Sequence, residues 1–242
     1  MEHEAPFGEL ALTCPDGQML HHLDWVTDQP VLLLKNVQRL TAPNPGVMTG
    51  PGTNSYLIGQ QEVAIIDPGP AIESHLQALV QATQGQTVRW ILVTHTHLDH
   101  SPGAAELKKI FPHAQVAGML APTQGMQDGS FHPDVILQDK AHIMIDGLPL
   151  ECVHTPGHAS NHLCYWWPNE KILLTGDHLM QQTTVVIPPP DGNMRHYMDS
   201  LTHLLTFPID YLAPAHGDLM DNAHFIIQQT LRHRRNREAK VL

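Results

Sequence analysis

Apolar and polar positions follow two periods along this chain, one typical of strands and one typical of helices. Continuous apolar runs predict strands at residues 31–40, 56–58, 63–66, 88–93, 162–167, 172–174 and 209–212. Apolar side chains at helical spacing predict helices at residues 72–80, 104–111, 194–205 and 221–240. The runs at 56–58 and 63–66 flank a polar turn and are expected to form a hairpin. Strands and helices therefore alternate twice in a similar order.

This repeated order predicts an α/β (α+β) fold of two halves, each with a sheet and its helices. Residues 114–154 are expected to form short strands and loops. Residues 1–30 have a weaker pattern, with a turn signal at Pro15-Asp16-Gly17. We therefore expect an N-terminal appendage over residues 1–30, packed on one main domain over residues 31–242.

The composition limits the binding partners and the cellular location that we expect for this protein. The formal net charge of −11 opposes broad attraction to nucleic acid and argues against binding to double-stranded DNA. No apolar run approaches the roughly 18–20 residues that span a bilayer, and the acidic start does not look like a secretory signal. Cys14, Cys152 and Cys164 lack C-x-x-C spacing, which is typical of thiols in a reducing compartment. We expect a cytoplasmic protein without membrane contact, and its oligomeric state stays open.

Residues 94–100 concentrate the side chains with the most chemistry. His95, His97, Asp99 and His100 lie within six positions, directly after the apolar run at 88–93. Imidazole nitrogens and carboxylate oxygens are ligands for zinc, iron and manganese. A strand period of two would put His95 and His97 on one side of the chain, and the following turn could aim the other two at a neighbouring point. One short loop can therefore supply ligands to two metals.

Three more candidate ligands each follow a predicted strand. They are His158 in Thr155-Pro156-Gly157-His158, Asp177 in Thr175-Gly176-Asp177, and His216 in Pro214-Ala215-His216-Gly217. The neighbouring glycines suit tight turns where the backbone bends or approaches a site. Any one of these residues could be an ordinary loop or capping residue in a chain with 19 histidines. Their shared position after apolar strands favours a single metal site.

Together these residues resemble the complete ligand set of the metallo-β-lactamase superfamily, and the resemblance covers roughly residues 31–225. It implies a four-layer αββα sandwich with a two-metal site at one edge. The implied ligands of the first metal are His95, His97 and His158. Those of the second are Asp99, His100 and His216, with Asp177 bridging both. The expected cofactors are two Zn²⁺ ions, with Fe or Mn as alternatives.

The resemblance also implies a reaction. Two divalent metals roughly 3.5–4 Å apart trap a bridging water and lower its pKa, so that the resulting hydroxide attacks an ester-like bond. Asp177, as the bridge, and Asp99, which would orient the hydroxide, are the expected catalytic residues. Asp67 is a candidate partner for a ligand imidazole, or simply the first residue of an Asp-Pro-Gly turn.

Several substrates and roles fit this ligand set. A small ester, lactone or thioester is one class of substrate, and an RNA phosphodiester is another. The aspartate at 177 and the lack of an export signal argue against antibiotic hydrolysis as the main role, although promiscuous β-lactamase activity is compatible with the site. Residues 178–186 do not match the glutathione-binding stretch of related thioesterases and dioxygenases. A mononuclear iron persulfide-type dioxygenase and a non-catalytic, metal-stabilised scaffold are the remaining alternatives.

Four segments resemble one branch of the superfamily, that of the β-lactamase-like endoribonuclease of animal mitochondria and its bacterial relatives. They are residues 42–46, 52–56, 183–185 and 197–201. Members of that branch in animals cut single-stranded RNA. The branch continues past a basic helix into a small winged-helix-like region, which this chain, ending at Leu242, is expected to lack. The basic run at 232–237 is either a solvated helix face or a phosphate contact.

Overall fold

The computed structural model describes residues 12–13, 19–20, 25–123, 125–181 and 184–238. The two short strands β1 (Leu12–Thr13) and β2 (Met19–Leu20) pair in antiparallel fashion. The predicted turn at residues 15–17 and most of the expected appendage, residues 1–30, lie outside the described residues. None of the helices in the described ranges is long and apolar enough to cross a membrane.

The first half of the chain forms a sheet of seven strands in sequential order. The strands are β3 (Val31–Leu34), β4 (Val37–Thr41), β5 (Asn54–Gly59), β6 (Glu62–Ile66), β7 (Thr87–Leu92), β8 (Gln115–Gly118) and β9 (Val135–Ile136). Pairing is antiparallel from β3 to β6 and parallel from β6 to β9. The parallel part requires crossover connections, which include the helices α1 (Glu73–Ala82) and α2 (Gly103–Ile110).

The second half forms a sheet of five strands, also in sequential order. The strands are β10 (His142–Ile145), β11 (Leu148–His154), β12 (Leu163–Trp167), β13 (Ile172–Gly176) and β14 (Tyr211–Pro214). Only the last pair, β13 with β14, is parallel, and helix α3 (Met194–Leu204) lies between these strands in sequence. Helix α4 (Ala223–Glu238) follows β14.

The two sheets pack face to face, and helices cover their outer faces. Alternate residues of a strand point to opposite faces, so that Tyr56 and Ile58 join the core between the sheets while Leu57 joins the core beneath the first two helices. The outer core of the second sheet contains side chains of α3 and α4, such as Leu201 and Ile227. This arrangement confirms the predicted αββα sandwich.

Two predicted elements needed correction. The single strand expected at 31–40 is a hairpin, because the polar pair Lys35-Asn36 forms a two-residue turn with Leu34 opposite Val37. The strand expected at 209–212 starts two residues later, at Tyr211, which pairs with the first residue of β13. The hairpin of β5 and β6 and all four helices lie where the apolar pattern predicted them, although residues 239–240 of the last one lie outside the described range.

Candidate metal centre

All seven candidate ligands lie just past the carboxyl ends of strands, at one edge of the sandwich. His95, His97, Asp99 and His100 follow β7, His158 follows β11, Asp177 follows β13, and His216 follows β14. Residues 94–100 form turns and irregular backbone, so the strand period assumed for the two histidines at 95 and 97 is wrong. The turn nevertheless brings their ring nitrogens together.

Three imidazoles converge on one point. Nε2 of His95 lies 2.9 Å from Nδ1 of His97, which lies 3.0 Å from Nε2 of His158. The first two residues come from the first half of the chain and the third from the second half. These are the three residues predicted to hold the first metal, and their ligand atoms form a group that could hold a metal ion.

A second group forms beside the first. Nε2 of His216 lies 3.3 Å from Oδ2 of Asp99, and Nε2 of His100 lies 3.5 Å from the same oxygen. Asp177 lies between the groups. Its Oδ1 is 3.3 Å from His216 and 3.5 Å from His100, while its Oδ2 is 3.5 Å from Nε2 of His158. One carboxylate therefore faces both groups, one oxygen to each.

The residues fit divalent metal ions. Nε2 of His100 and Oδ1 of Asp177 are buried polar atoms without a hydrogen-bond partner among the described residues, and both point into the centre. Such atoms are costly unless something satisfies them. Tetrahedral coordination with bonds of about 2.1 Å places ligand atoms about 3.4 Å apart, and the distances across the two groups run from 2.9 to 3.5 Å. The mixture of imidazole and carboxylate suits Zn²⁺, Fe or Mn.

Other residues orient the ligand imidazoles through the ring nitrogen that faces away from the centre. Nδ1 of His158 donates to the carbonyl oxygen of Val186 at 2.6 Å, and Nδ1 of His216 donates to that of Gly52 at 3.2 Å. A donor proton on Nδ1 leaves Nε2 free to bind a metal. The two ring orientations are thus set by backbone carbonyl groups from other segments of the chain.

Asp67 both contacts a candidate ligand imidazole and begins a turn, the two roles that the sequence left open. Its Oδ2 accepts from Nδ1 of His100 at 3.0 Å, and its two oxygens also accept from the backbone and the hydroxyl of Thr94 at 2.7 and 2.8 Å. Its own backbone has a φ of 49°, in the left-handed region that Asp tolerates in turns. The residue ends β6 in a turn and fixes a candidate ligand at the same time.

The ionisation of the ligands in the metal-free protein follows from burial and charge. Burial, with the neighbouring imidazoles, lowers the pKa of His97 to about 4, so this ring is neutral near pH 7. Burial also lowers the pKa of His95 well below its usual value. Burial would lower the pKa of His216 too, but the carboxylates of Asp177 and Asp99 raise it to about 10. Metal binding would have to displace a proton from that ring.

Asn54 holds the loop that carries His216. The side chain is fully buried, and its Nδ2 donates to the carbonyl oxygens of Pro214 at 2.9 Å and Gly217 at 2.8 Å. Its backbone N–H donates to Ala215 at 2.7 Å. This residue belongs to the Gly52–Tyr56 segment that suggested the superfamily branch, but its contact with a residue 160 positions away could not be foreseen.

A second buried network joins the two halves at the other side of the centre. Nδ2 of Asn161 donates to Oγ1 of Thr96 at 2.8 Å, and this hydroxyl donates to Oε1 of Gln127 at 2.6 Å. Thr96 lies between two candidate ligands, and Asn161 lies in the loop that carries His158. Sequence reasoning missed both residues.

Gly176 allows the close approach that places Asp177. It has a φ of 49°, and a Cβ atom there would lie 2.6 Å from Nε2 of His162 and 2.8 Å from Oγ1 of Thr94. His162 accepts from the backbone N–H of Asp177 at 3.2 Å and donates to Oγ1 of Thr155 at 2.8 Å. Only glycine fits between these groups.

The basic run at 232–237 is divided between the surface and the interior. Arg232, Arg235 and Arg237 are exposed, as expected for a solvated helix face. Arg234 is buried, however, because its guanidinium donates to the carbonyl oxygen of Val185 and stacks over Tyr197 at 5.2 Å. The run therefore fastens α4 to the segment beside Val186.

With this geometry established, comparison with known proteins identifies the family. The sequence profile of the metallo-β-lactamase superfamily matches residues 48–216, a range that includes all seven candidate ligands. The chain belongs to this superfamily. The endoribonuclease branch is not established by the match.

Curated relatives include fungal and animal proteins. An atrochrysone carboxyl ACP thioesterase of Aspergillus fumigatus is 30% identical over 217 residues, which cover 87% of this chain and 65% of that protein. A lactamase-like protein of Penicillium aethiopicum is 31% identical over 221 residues, covering 87% of this chain and 66% of that protein. A β-lactamase-like protein 2 homolog of Caenorhabditis elegans is 27% identical, covering 85% and 70%. The chain thus spans about two thirds, or slightly less, of the fungal relatives' length.

Solved structures share the fold at low identity. A metallo-β-lactamase family protein from Thermus thermophilus superposes with a TM-score of 0.73 at 20% identity, covering 87% of this chain and 83% of that one. A metallo-β-lactamase from Pontibacter korlensis gives a TM-score of 0.72 at 18% identity, covering 86% and 99%. These matches support the αββα architecture.

Proposed function

We propose that this protein is a metal-dependent hydrolase that cleaves a thioester or another small ester-like bond, with two Zn²⁺ ions as its cofactors. The observation that carries the proposal is the position of Asp177, whose two oxygens face two separate groups of candidate ligands. Binding of two ions by one shared carboxylate is the arrangement that this geometry favours.

The candidate ligands would have separate roles in this reaction. His95, His97 and His158 would hold one ion, and Asp99, His100 and His216 the other. When bound, such ions lower the pKa of a water molecule and polarise the bond under attack. Asp99 has a side chain that is 29% exposed and is therefore reachable by solvent, so it can orient the attacking water and accept its proton. No serine or cysteine nucleophile is needed.

The fungal relatives support the thioester as the bond that is cleaved. One of them is named as a thioesterase that acts on a carrier protein, at 30% identity over most of this chain. The free cysteines in the described part of the chain do not offer an alternative nucleophile, because burial raises the pKa of the Cys152 and Cys164 thiols to about 12. The expected cytoplasmic location stays a prediction.

The test uses Asp177→Asn, with Asp210→Asn as the matched control. Asp210 is exposed and precedes β14, at the end opposite His216. The metal-replete wild type should contain two zinc ions per chain and hydrolyse an acetyl thioester of a small thiol. Asp177→Asn should lose at least about 100-fold in turnover, and the control should not. A loss of this size exceeds the effect of removing a hydrogen bond to a metal ligand, which is about 10–100-fold. Wild-type turnover in Asp177→Asn would reject the role of this carboxylate as a ligand shared by two metals. One iron ion per chain in the wild type would favour the dioxygenase alternative.

A second candidate function is cleavage of single-stranded RNA. Two observations favour it, namely the resemblance of four segments to the endoribonuclease branch and the exposed arginines of α4, a helix that Arg234 links to the segment beside Val186. Exposed arginines attract phosphates. The same preparations should therefore be given a labelled single-stranded RNA. Cleavage that disappears in Asp177→Asn, without thioester hydrolysis, would replace the leading proposal with this one.

A further inference from the structure

Several loops that carry or contact the candidate metal ligands expose large apolar side chains. In the parts of the chain that the structure describes, thirteen such side chains are exposed, and six of them lie in loops connected to the centre. These six, which we call the apolar rim, are Val47, Met48, Leu98, Leu120, Met126 and Val186. Single exposed apolar residues are common on proteins, but a concentration around one site indicates binding.

Two rim residues belong to the immediate surroundings of the ligands. Leu98 lies between His97 and Asp99 in sequence, and its side chain is 58% exposed. Val186 is 46% exposed, and its carbonyl oxygen accepts from Nδ1 of His158. Both residues therefore expose an apolar side chain while they are bonded, covalently or through a hydrogen bond, to candidate ligands.

Two more rim residues stand on the side of the buried Asn161–Thr96 network. The carbonyl oxygen of Leu120 accepts from Nδ2 of Asn161 at 3.2 Å. Met126, which is 82% exposed, precedes Gln127, the residue that accepts from Thr96. Both positions are therefore tied by short hydrogen-bonded paths to the loops that carry His95, His97 and His158.

The last two rim residues lie on the His216 side. Val47 and Met48 form the tip of a loop whose base is closed by mutual backbone hydrogen bonds between Gly46 and Gly50, at 3.0 and 2.8 Å. Both side chains at this tip are exposed. Two residues after the loop, Gly52 accepts from Nδ1 of His216.

The three segments that carry five of these rim residues have no charge. Residues 42–52, 119–127 and 184–190 contain no Asp, Glu, Lys or Arg. A phosphodiester backbone is recognised mainly by cations and by many polar donors. Neutral segments with exposed methionine, leucine and valine instead suit an uncharged apolar group, and methionine adapts readily to ligands of different shape.

We propose that the apolar rim binds the acyl chain of the substrate, and that the protein prefers thioesters or esters of apolar acyl groups of several carbons to acetyl thioesters and to RNA. This inference rests on the proposed hydrolase function, because the rim would hold the acyl chain while the metal centre cleaves the bond at its end. We infer an acyl chain as the ligand because the rim adjoins the metal centre. An acyl chain whose carbonyl lies at the centre would extend onto these side chains.

The first test measures binding without turnover. Alkyl thioethers of N-acetylcysteamine with two, four, six and eight carbons cannot be hydrolysed, and their binding to the metal-replete protein is measured by calorimetry. We expect Kd to fall by about fourfold for each methylene that the rim covers fully, with a negative heat-capacity change. Equal Kd values along the series would overturn the proposal.

The second test removes part of the rim. The double variant Met48→Ser/Met126→Ser should lose about tenfold in the ratio of affinities for the eight-carbon and two-carbon thioethers. The control, Met144→Ser, should keep the ratio. Met144 is also half exposed, but its carbonyl oxygen accepts from Nε1 of Trp90, which lies within β7 and five residues before the first candidate ligand, His95. An unchanged ratio in the double variant would reject the rim as the acyl site.

Two further readouts separate the possible failures. If binding depends on chain length but neither octanoyl nor acetyl thioester is hydrolysed, the proposed function fails and the rim stands. If sedimentation shows a wild-type dimer that the double variant abolishes, the rim is a contact between two copies of the chain and the acyl proposal is wrong. Cleavage of RNA with no binding of any thioether would also overturn it.

Discussion

Single residues of the first half of the chain control the placement of ligands in the second half. Asn54 is the clearest case, since one side chain amide satisfies two carbonyl groups of the His216 loop. Asn54→Asp keeps the shape but loses both donated hydrogen bonds, and each buried carbonyl left without a partner costs about 1–3 kcal/mol. We expect zinc binding to the group that contains His216 to weaken by about 10–100-fold, as measured by competition with a chelating dye.

The matched control for this prediction is Tyr56→Phe. The Tyr56 hydroxyl donates to Pro214 at 2.7 Å, but that carbonyl would still accept from Asn54. The control should therefore bind zinc nearly as the wild type does, with some loss of stability. If Asn54→Asp folds, as judged by circular dichroism, and binds two zinc ions with wild-type affinity, Asn54 does not position His216.

The sequence could predict the candidate ligands but not what holds them. His95, His97, Asp99 and His100 lie within six positions, and the other three each follow a predicted strand end, so the local pattern was enough to select them as candidates. Asn54 and Thr96 act through partners 160 and 65 positions away, and such pairs depend on how the two sheets dock. Asp67 was recognised as a candidate only because it ends a strand.

At the scale of elements, the apolar pattern located the helices well and failed where polar residues interrupt a strand only briefly. Residues 31–40 contain two strands because a two-residue turn is too short to break the apolar run visibly. Residues 94–100 were treated partly as a strand, but Asp67 binds the backbone of Thr94 and turns the chain directly after β7. A long-range contact thus decided where that strand ends.

The docking of α1 on the first sheet leads to a prediction about pH. His75 of this helix is buried, with Nε2 2.8 Å from Oγ of Ser55 and Nδ1 3.1 Å from Oδ1 of Asp28. Burial lowers the pKa of His75 below its usual 6.5, although Asp28 opposes the shift. The unfolded chain therefore takes up this proton at a higher pH than the folded protein does. The resulting stability is present above about pH 6.5 and is lost as the pH falls toward the folded-state pKa.

His75→Gln should remove this contribution. The free energy of unfolding, measured in urea between pH 7 and pH 5, should fall less steeply for the variant, by up to about 1.4 kcal/mol per pH unit, the limit for one proton. His113→Gln, at an exposed position, is the control and should leave the slope unchanged. Equal slopes for His75→Gln and the wild type would show that the docked helix does not depend on a neutral His75.

At the scale of the whole molecule, each ligand group combines both halves of the chain. The first takes His95 and His97 from the loop after β7 and His158 from the second half, and the second takes Asp99 and His100 from that loop and His216 from the second half. Bound metals would therefore join the two sheets at the edge where the substrate is expected to bind. A ligand present at about 1,000 times its Kd stabilises the folded state by about 4 kcal/mol per site. A destabilisation of about 1 kcal/mol lowers Tm by roughly 2–4 °C in a chain of this size.

Removal of the metals should therefore lower Tm by at least about 10 °C. The measurement is a thermal unfolding scan of protein treated with a chelator and then dialysed free of it, compared with the same protein after zinc is added back. In the first group, the second half of the chain supplies His158 and the shared Asp177. The His158→Gln variant loses the first of these links between the halves, so its zinc-dependent gain in Tm should be smaller than that of the wild type. If chelation leaves Tm unchanged and zinc restores nothing, the two halves are held by their apolar cores and hydrogen bonds alone. The candidate ligands would then not act as a link between the sheets.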